Sequence, residues 1–181
     1  PPGAWVFAQE PPAAHDPARA GSILDAAGWV PGADGIRVKN GLKAKIELCT
    51  TTRQVREDTL ALVASWLRDV GIEAIPNAVD ASNIFAAYNE STATTPCALS
   101  RGNFDLAEHA FTSSIDPLGN FFSYHSSQFN PIGVNNASIK DPQIDAALDA
   151  VRMSVDFAVI KNAMAEFQKV YVEKTVEIPL Y

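Results

Sequence analysis

The residues best suited to hold a small molecule lie in the stretch FDLAEHAFTSSIDPLGNFFSYHS, residues 104–126. A strand-like run over residues 104–111 leads to three small hydroxyl side chains, then to an Asp-Pro turn and several aromatic residues. Hydroxyls and aromatic faces delivered by a strand suit a ligand cleft, where they hydrogen-bond to a solute and pack against it. The stretch therefore predicts binding rather than catalysis. Its candidate ligand-binding residues are Phe111, Thr112, Ser113, Ser114, Asp116 and Tyr124.

Two kinds of residue in this stretch also have a structural interpretation. Asp116 precedes Pro117, and an aspartate in that position commonly initiates a turn through its own side chain. The aromatic residues fit a core as well as a cleft. No carboxylate other than Asp116 is expected to face the solute, and Asp116 has the structural interpretation just given. A buried ammonium group would therefore lack a paired charge. The stretch thus favours a solute held along a peptide main chain, with an oligosaccharide as the next choice.

A second candidate site comprises Thr50, Thr51, Thr52 and Arg53, where a predicted strand ends and a predicted helix begins. The exposed amides of a helix N-terminus carry partial positive charge. Hydroxyls and a guanidinium beside them would complete a site for an anion or a carboxylate. The alternative is that Thr52 caps the helix and the other threonines are ordinary strand residues.

Hydrophobic spacing and turn signals predict the elements that position these residues. The Pro-rich residues 1–15 are expected to form an extended connector. Asp16 and Pro17 begin a helix that Gly28 ends. Asn40-Gly41 predicts a hairpin with a type I′ turn, whose second arm runs to Cys49.

A helix follows from residue 52 or 53 to residue 70, with one buried face, and a strand over residues 72–75 completes a parallel crossover. These elements predict a single α/β domain over residues 16–181, with a mixed sheet flanked by helices. The remaining expected elements are a helix over residues 80–88, a strand over 104–111, helices over 141–152 and from 156 to about 171, and a strand over 176–181.

Charge and motifs exclude several classes of function. The 181 residues carry a formal net charge of -7, which argues against nucleic acid or an anionic membrane as a partner. No signal peptide and no apolar run of 18 residues are present. The sequence has no GxSxG, Walker, HExxH or GxGxxG motif, so we expect no enzyme activity and no cofactor. The scattered His15, His109 and His125 lack metal-ligand spacing, and we predict no metal site.

Three segments in this order resemble the C-terminal lobe of the extracellular solute-binding proteins of family 5, the peptide/nickel/opine class that supplies ABC importers. They are DPARAGSILDAAGW at residues 16–29, the turn region at 104–126, and IPLY at 178–181. The resemblance implies a type II periplasmic-binding-protein-like fold and a fragment of a longer, two-lobed receptor. It also implies a periplasmic or cell-surface location, a membrane permease as partner, and a peptide, an oligosaccharide or a metal complex as solute. The competing hypotheses are a domain of an extracytoplasmic enzyme and a cell-surface interaction module.

The resemblance bears on two further features. Several peptide-binding relatives carry an acidic residue before the Asp-Pro turn, where this sequence has Ser113 or Ser114. A neutral hydroxyl there is a poor partner for the free amine of a short peptide. In an extracytoplasmic protein, Cys49 and Cys97 are candidates for a disulfide, and two unpaired thiols are the alternative.

Overall fold

The structure, a computed structural model, describes residues 4–8, 10–11, 14–111 and 115–180. The chain forms two compact units: Ala14–Ala110, called here the sheet unit, and Pro1–Ala13 with Phe111–Tyr181, called here the helical unit. The predicted boundary between residues 15 and 16 lies close to Ala14, the first residue of the sheet unit. The division after Ala110 was not expected, and a single domain over residues 16–181 stays a prediction.

The sheet unit begins with helix α1 (Pro17–Ala26) and an antiparallel sheet of three short strands. The Asp16 carboxylate accepts a hydrogen bond from the Arg19 amide at 2.8 Å, which confirms the predicted N-cap. The strands are β1 (Val30–Pro31), β2 (Arg37–Lys39) and β3 (Leu42–Lys43), in the order β1-β2-β3. Asn40 and Gly41 both have positive φ, 52° and 81°, as the predicted hairpin turn requires.

The sheet unit also contains a parallel sheet. It consists of β4 (Lys45–Thr51), β5 (Glu73–Val79) and β6 (Leu106–Ala107), in the order β5-β4-β6. Helix α2 (Gln54–Asp69) connects β4 to β5, so the predicted parallel crossover is confirmed. The prediction that the second hairpin arm runs to Cys49 is wrong, because the chain leaves the antiparallel sheet at Ala44 and enters the parallel sheet. The α/β fold is confirmed, with two sheets in place of one mixed sheet.

Two further predicted elements of the sheet unit are shorter in the structure. Of residues 104–111, Leu106–Ala107 alone pair with β4. The Asp105 carboxylate accepts a hydrogen bond from the Glu47 amide at 2.8 Å, so a side chain takes the place of a ladder bond. The helix predicted over residues 80–88 is reduced to α3 (Ala81–Ile84) and a 3₁₀ turn at Tyr88–Glu90. A second 3₁₀ turn spans Leu99–Arg101.

The helical unit is built from α4 (Gly119–Tyr124), α5 (Pro142–Met153) and α6 (Phe157–Glu173), with a 3₁₀ turn at Ser126–Gln128. Its core includes Phe121 from α4, Leu148 from α5 and Phe167 from α6. Helices α5 and α6 confirm the sequence prediction, whereas α4 was missed. The strand predicted over residues 176–181 is wrong for the described residues 176–180, which pair with no strand of the described chain. In the described part of the chain, no helix combines the length and apolar character needed to cross a membrane.

The Pro-rich start of the chain is more than an extended connector. Its described residues 4–8 contain a turn, in which the Phe7 amide donates to the Ala4 carbonyl at 3.0 Å. The Gln168 side chain on α6 donates to the Val6 carbonyl at 2.8 Å and accepts from the Ala8 amide at 2.9 Å. These contacts correct the predicted connector, because part of it packs within the helical unit.

Asp141 makes the stability of α5 dependent on pH. Its carboxylate accepts hydrogen bonds from the Gln143 and Ile144 amides at 2.9 and 3.2 Å. Burial opposes ionisation, but the Ile144 and Gln143 amides and the nearby Lys174 outweigh it and hold the pKa of Asp141 below its ordinary value. A lowered pKa contributes stability that is present above about pH 4 and is lost as the pH falls further.

We therefore expect Asp141→Ala to lower the free energy of unfolding by about 1 kcal/mol at pH 7. Asp141→Asn keeps an N-cap acceptor but cannot titrate, so it should lose less stability than the wild type when the pH falls from 5 to 2.5. Urea unfolding at both pH values measures this difference. Equal losses in the wild type and Asp141→Asn would contradict the assignment.

Candidate functional site

The carboxyl ends of the three parallel strands lie along one edge of the sheet unit. Strand β4 ends at Thr51, β5 at Val79 and β6 at Ala107. In open parallel sheets, ligands bind outside the carboxyl ends of the strands, because the loops that leave the sheet there carry the contact residues. The predicted site at residues 50–53 therefore falls on the edge of the sheet that is suited to binding.

The four residues of this predicted site divide into two pairs. Thr50 and Thr51 are buried, and their hydroxyls are used inside the sheet unit. The Thr50 hydroxyl hydrogen-bonds to Glu108, and the Thr51 hydroxyl accepts from Arg56 Nη1 at 2.7 Å. A solute could reach these two hydroxyls only by displacing their present partners.

Thr52 and Arg53, the second pair, are exposed where the chain turns from β4 into α2. The Thr52 amide donates to the Val79 carbonyl at 3.1 Å, which ties this turn to the end of β5. The alternative that Thr52 caps the helix is wrong, because Arg53 is the N-cap residue and makes no side-chain capping bond. Thr52 and Arg53 thus keep a hydroxyl and a guanidinium at the edge of the sheet.

Sequence reasoning missed two charged residues at the same edge, Arg56 and Glu108. Arg56 Nε lies 3.6 Å from Glu108 Oε2, and the two side chains are 10% and 8% exposed. The sequence contained a signal for Arg56, because it lies four residues before the buried Leu60 on α2. A charged residue on the buried face of a helix is unusual and points to a specific partner. That partner, Glu108, lies just beyond the short strand β6.

Cys49 and Cys97 form a disulfide in the structure, with their Cα atoms 5.6 Å apart. This separation is usual for a disulfide. Both residues are buried in a small core with Ile84 and Leu99. The Glu47 carboxylate lies within 4.8 Å of both sulfurs, but bridged sulfurs offer no thiolate to a metal ion. The bridge therefore joins the central strand to the loop that carries Cys97.

The helical unit contains the other predicted contact residues. The Asp116 carboxylate accepts from the Leu118 amide at 2.9 Å, which confirms that Asp116 initiates the turn. Asp116 also borders a shallow pocket of about 570 Å³ that Trp5, Ile115, Arg152 and Phe157 help to line. This volume is within the range of small-molecule sites. Phe111 is largely exposed, whereas Thr112, Ser113 and Ser114 lie outside the described residues.

Tyr124 is partly buried and packs against the core of the helical unit. Its ring packs against Phe167 and Tyr171, with centroids 5.6 and 5.4 Å away. The hydroxyls of Tyr124 and Tyr171 both donate to Glu177 Oε2, at 3.0 and 2.6 Å. Burial, with the charge of Glu177, raises the pKa of Tyr124 far above its ordinary value. These contacts match the core interpretation of the aromatic residues, and a ligand contact by Tyr124 stays a prediction.

His125 is a buried histidine that contributes to the packing of the helical unit. Its ring stacks on Phe121 with centroids 4.4 Å apart, and Nδ1 accepts from the Ser127 amide at 3.0 Å. Nε2 lies 3.8 and 3.7 Å from carboxylate oxygens of Asp145 and Asp149. The stacking on Phe121 and the contact with Ser127 hold the ring within the helical unit.

Comparison with solved structures identifies the class of fold. The oligopeptide-binding protein of Thermus thermophilus, complexed with a pentapeptide, gives a TM-score of 0.81 at 24% identity, over 100% of this chain and 32% of that chain. NikA of Brucella suis, in complex with Fe(III)-EDTA, gives a TM-score of 0.69 at 29% identity, over 91% of this chain and 32% of that chain. The fold is that of the type II periplasmic binding proteins.

The family follows from sequence comparison. The model for bacterial extracellular solute-binding proteins, family 5 (middle region), matches residues 1–131, and the chain belongs to this family. Protein XP55 of Streptomyces lividans is 33% identical over 160 residues, which are 87% of this chain and 27% of that protein. The chain thus spans about a quarter of the length of the curated relatives it matches. These results confirm the resemblance found in the sequence.

Proposed function

We propose that the chain is part of the substrate-binding component of an ABC importer. The whole receptor captures a solute outside the cytoplasm between two lobes, and its closed form delivers the solute to a membrane permease. The observation that carries this proposal is the family match over residues 1–131. The open carboxyl edge of the parallel sheet, with Thr52 and Arg53 exposed, supports it because that edge is suited to binding.

A peptide is the solute class that we favour. In the sheet unit, Arg53 offers a guanidinium that matches a carboxylate, and Thr52 offers a hydroxyl that can bind a main-chain amide. In the helical unit, the pocket beside Asp116 is lined by apolar side chains as well as by Arg152 and Ser154, a mixture that suits the side chain of a peptide. An oligosaccharide is the second choice and a metal complex the third. The Thermus thermophilus structure contains a pentapeptide and the Brucella suis structure contains Fe(III)-EDTA, so relatives hold chemically different solutes.

Capture without turnover is the simplest account of the chemistry at the strand ends. Glu108, a carboxylate suited to acid–base catalysis, is buried there and engaged by Arg56 and Thr50. The family is one of solute-binding proteins, which argues against an enzyme domain. A periplasmic or cell-surface location agrees with the Cys49–Cys97 disulfide, since such bonds persist mainly in oxidising compartments.

Native mass spectrometry of the full-length protein, purified from its own host, tests this function. We expect a non-covalent adduct whose fragmentation gives amino-acid residues, and which is released unchanged after prolonged incubation with the protein. Chemical conversion of the solute would favour the enzyme hypothesis. A protein that carries no adduct and binds neither added peptides, oligosaccharides nor metal chelates would contradict the proposal and favour an interaction module.

A further inference from the structure

The ion pair between Arg56 and Glu108 is buried at the carboxyl end of the central strand β4. Its Nε to Oε2 distance is 3.6 Å, and the two side chains are 10% and 8% exposed. At the opposite, amino end of the same sheet, the pair between Lys45 and Glu73 is 54% and 38% exposed, with its charged atoms 3.9 Å apart. The sheet thus has a solvated ion pair at one end and a desolvated one at the end suited to binding.

The buried pair is linked to consecutive residues of β4. The Glu108 amide donates to the Cys49 carbonyl at 2.8 Å. The Thr50 hydroxyl lies 3.1 Å from the Glu108 carbonyl oxygen and also hydrogen-bonds to the Glu108 carboxylate. Arg56 Nη1 donates to the Thr51 hydroxyl at 2.7 Å. Glu108 is therefore held through its amide, its carbonyl and its carboxylate, and Arg56 links it to the last residue of the strand.

Stabilisation of the fold does not by itself explain why this ion pair is buried. Desolvating two charges costs about as much as their attraction returns, so a well-packed apolar pair in the same volume is often as stable or more stable. The pair instead fixes geometry, because the hydrogen bonds of its two side chains to Thr50 and Thr51 are directional and a displaced charge would lose its partner. The pair fixes the two segments that leave β4 and β6 at the edge suited to binding.

We propose that Arg56 and Glu108 are positioning residues for solute binding. They hold the turn at residues 52–53 and the chain at residues 108–110 at the carboxyl ends of β4 and β6. The pair therefore sets the affinity for the solute and not the stability of the fold. The expected effect of the ion pair on solute affinity rests on the proposed function. Its expected effect on the position of residues 52–53 and 108–110 does not.

The test is the double substitution Arg56→Met/Glu108→Leu in the full-length protein, which replaces the ion pair by apolar side chains of similar size. The control is Lys45→Gln/Glu73→Gln, which removes the solvated pair at the other end of the sheet. We measure the thermal midpoint, amide hydrogen exchange at residues 52–53 and 108–110, and calorimetric affinity for pentaalanine as the probe.

We expect the double variant to keep its thermal midpoint within about 3 °C or to raise it. Exchange at residues 108–110 should become at least about tenfold faster. Affinity for pentaalanine should fall at least about tenfold, and the control should change neither exchange nor affinity.

Three results would overturn the proposal. A large fall in the thermal midpoint would make the pair a stabilising feature, and unchanged exchange in a folded double variant would show that it positions nothing. Unchanged affinity despite faster exchange would separate the pair from binding. If the wild type does not bind pentaalanine, that result counts against the peptide proposal, and hydrogen exchange alone decides the positioning role.

Discussion

Removing the disulfide between Cys49 and Cys97 should lower the free energy of unfolding of the sheet unit by about 4 kcal/mol. The bridge joins residues 48 positions apart, so in the unfolded chain it closes a long loop and reduces the entropy gained on unfolding. The loop includes all of α2 and β5, the crossover on which the parallel sheet depends. Urea unfolding of Cys49→Ala/Cys97→Ala against the wild type measures the loss.

Chemical reduction provides the matched control for this substitution. A reducing agent should destabilise the wild type by a similar amount and leave the double variant unchanged, because the variant has no bridge to break. Thiol titration of the unfolded, unreduced wild type should find no free thiol. Two free thiols per chain, or no effect of the reducing agent on stability, would contradict the bridge.

The second large effect is a difference in solute affinity between the 181-residue chain and the full-length receptor. The 181-residue chain should bind the solute at least about 100-fold more weakly than the full-length receptor, a difference of about 2.7 kcal/mol in binding free energy. Small-molecule sites bury most of the ligand surface, and under the proposed function this chain would cover only one side of a cleft between two lobes. The chain spans 32% of the Thermus thermophilus relative, so most of such a receptor lies outside it.

The local features of the fold could be predicted from the sequence because their causes are local. Asp16, Asp141 and Asp156 each accept hydrogen bonds from the first amides of a helix, as their places before the helical patterns indicated. The Asn40-Gly41 turn follows from the positive φ that both residues tolerate. These signals lie within a few residues of the element that they define.

Burial on α2 shows where such reasoning fails. The apolar spacing over residues 55–70 predicted one buried face, but Val55, Leu62 and Trp66 are more than half exposed. The buried residues of the helix are Leu60 and the charged Arg56. Which face is covered depends on how the helix lies on the sheet, and the spacing of apolar residues alone does not determine that.

The sequence indicated the region where β4 ends and α2 begins, but it did not predict the partners of Thr50 and Thr51. The sequence predicted a strand that runs to Cys49 with residues 50–53 following its end, whereas in the structure β4 continues to Thr51. The hydroxyls of Thr50 and Thr51 bind Glu108 and Arg56, and Glu108 is 58 residues from Thr50 in the sequence. A partner so far along the chain is set by the pairing of β4 with β6, which no local pattern reports.

Isothermal titration calorimetry of the full-length receptor and of the 181-residue chain, with the solute identified by native mass spectrometry, tests the central claim most directly. Circular dichroism of the isolated chain first establishes that it is folded. We predict stoichiometric binding of one solute by the full-length receptor and binding at least about 100-fold weaker by the folded chain. Equal affinities would show that the site is complete within residues 1–181, and no binding by either protein would contradict a solute-binding function.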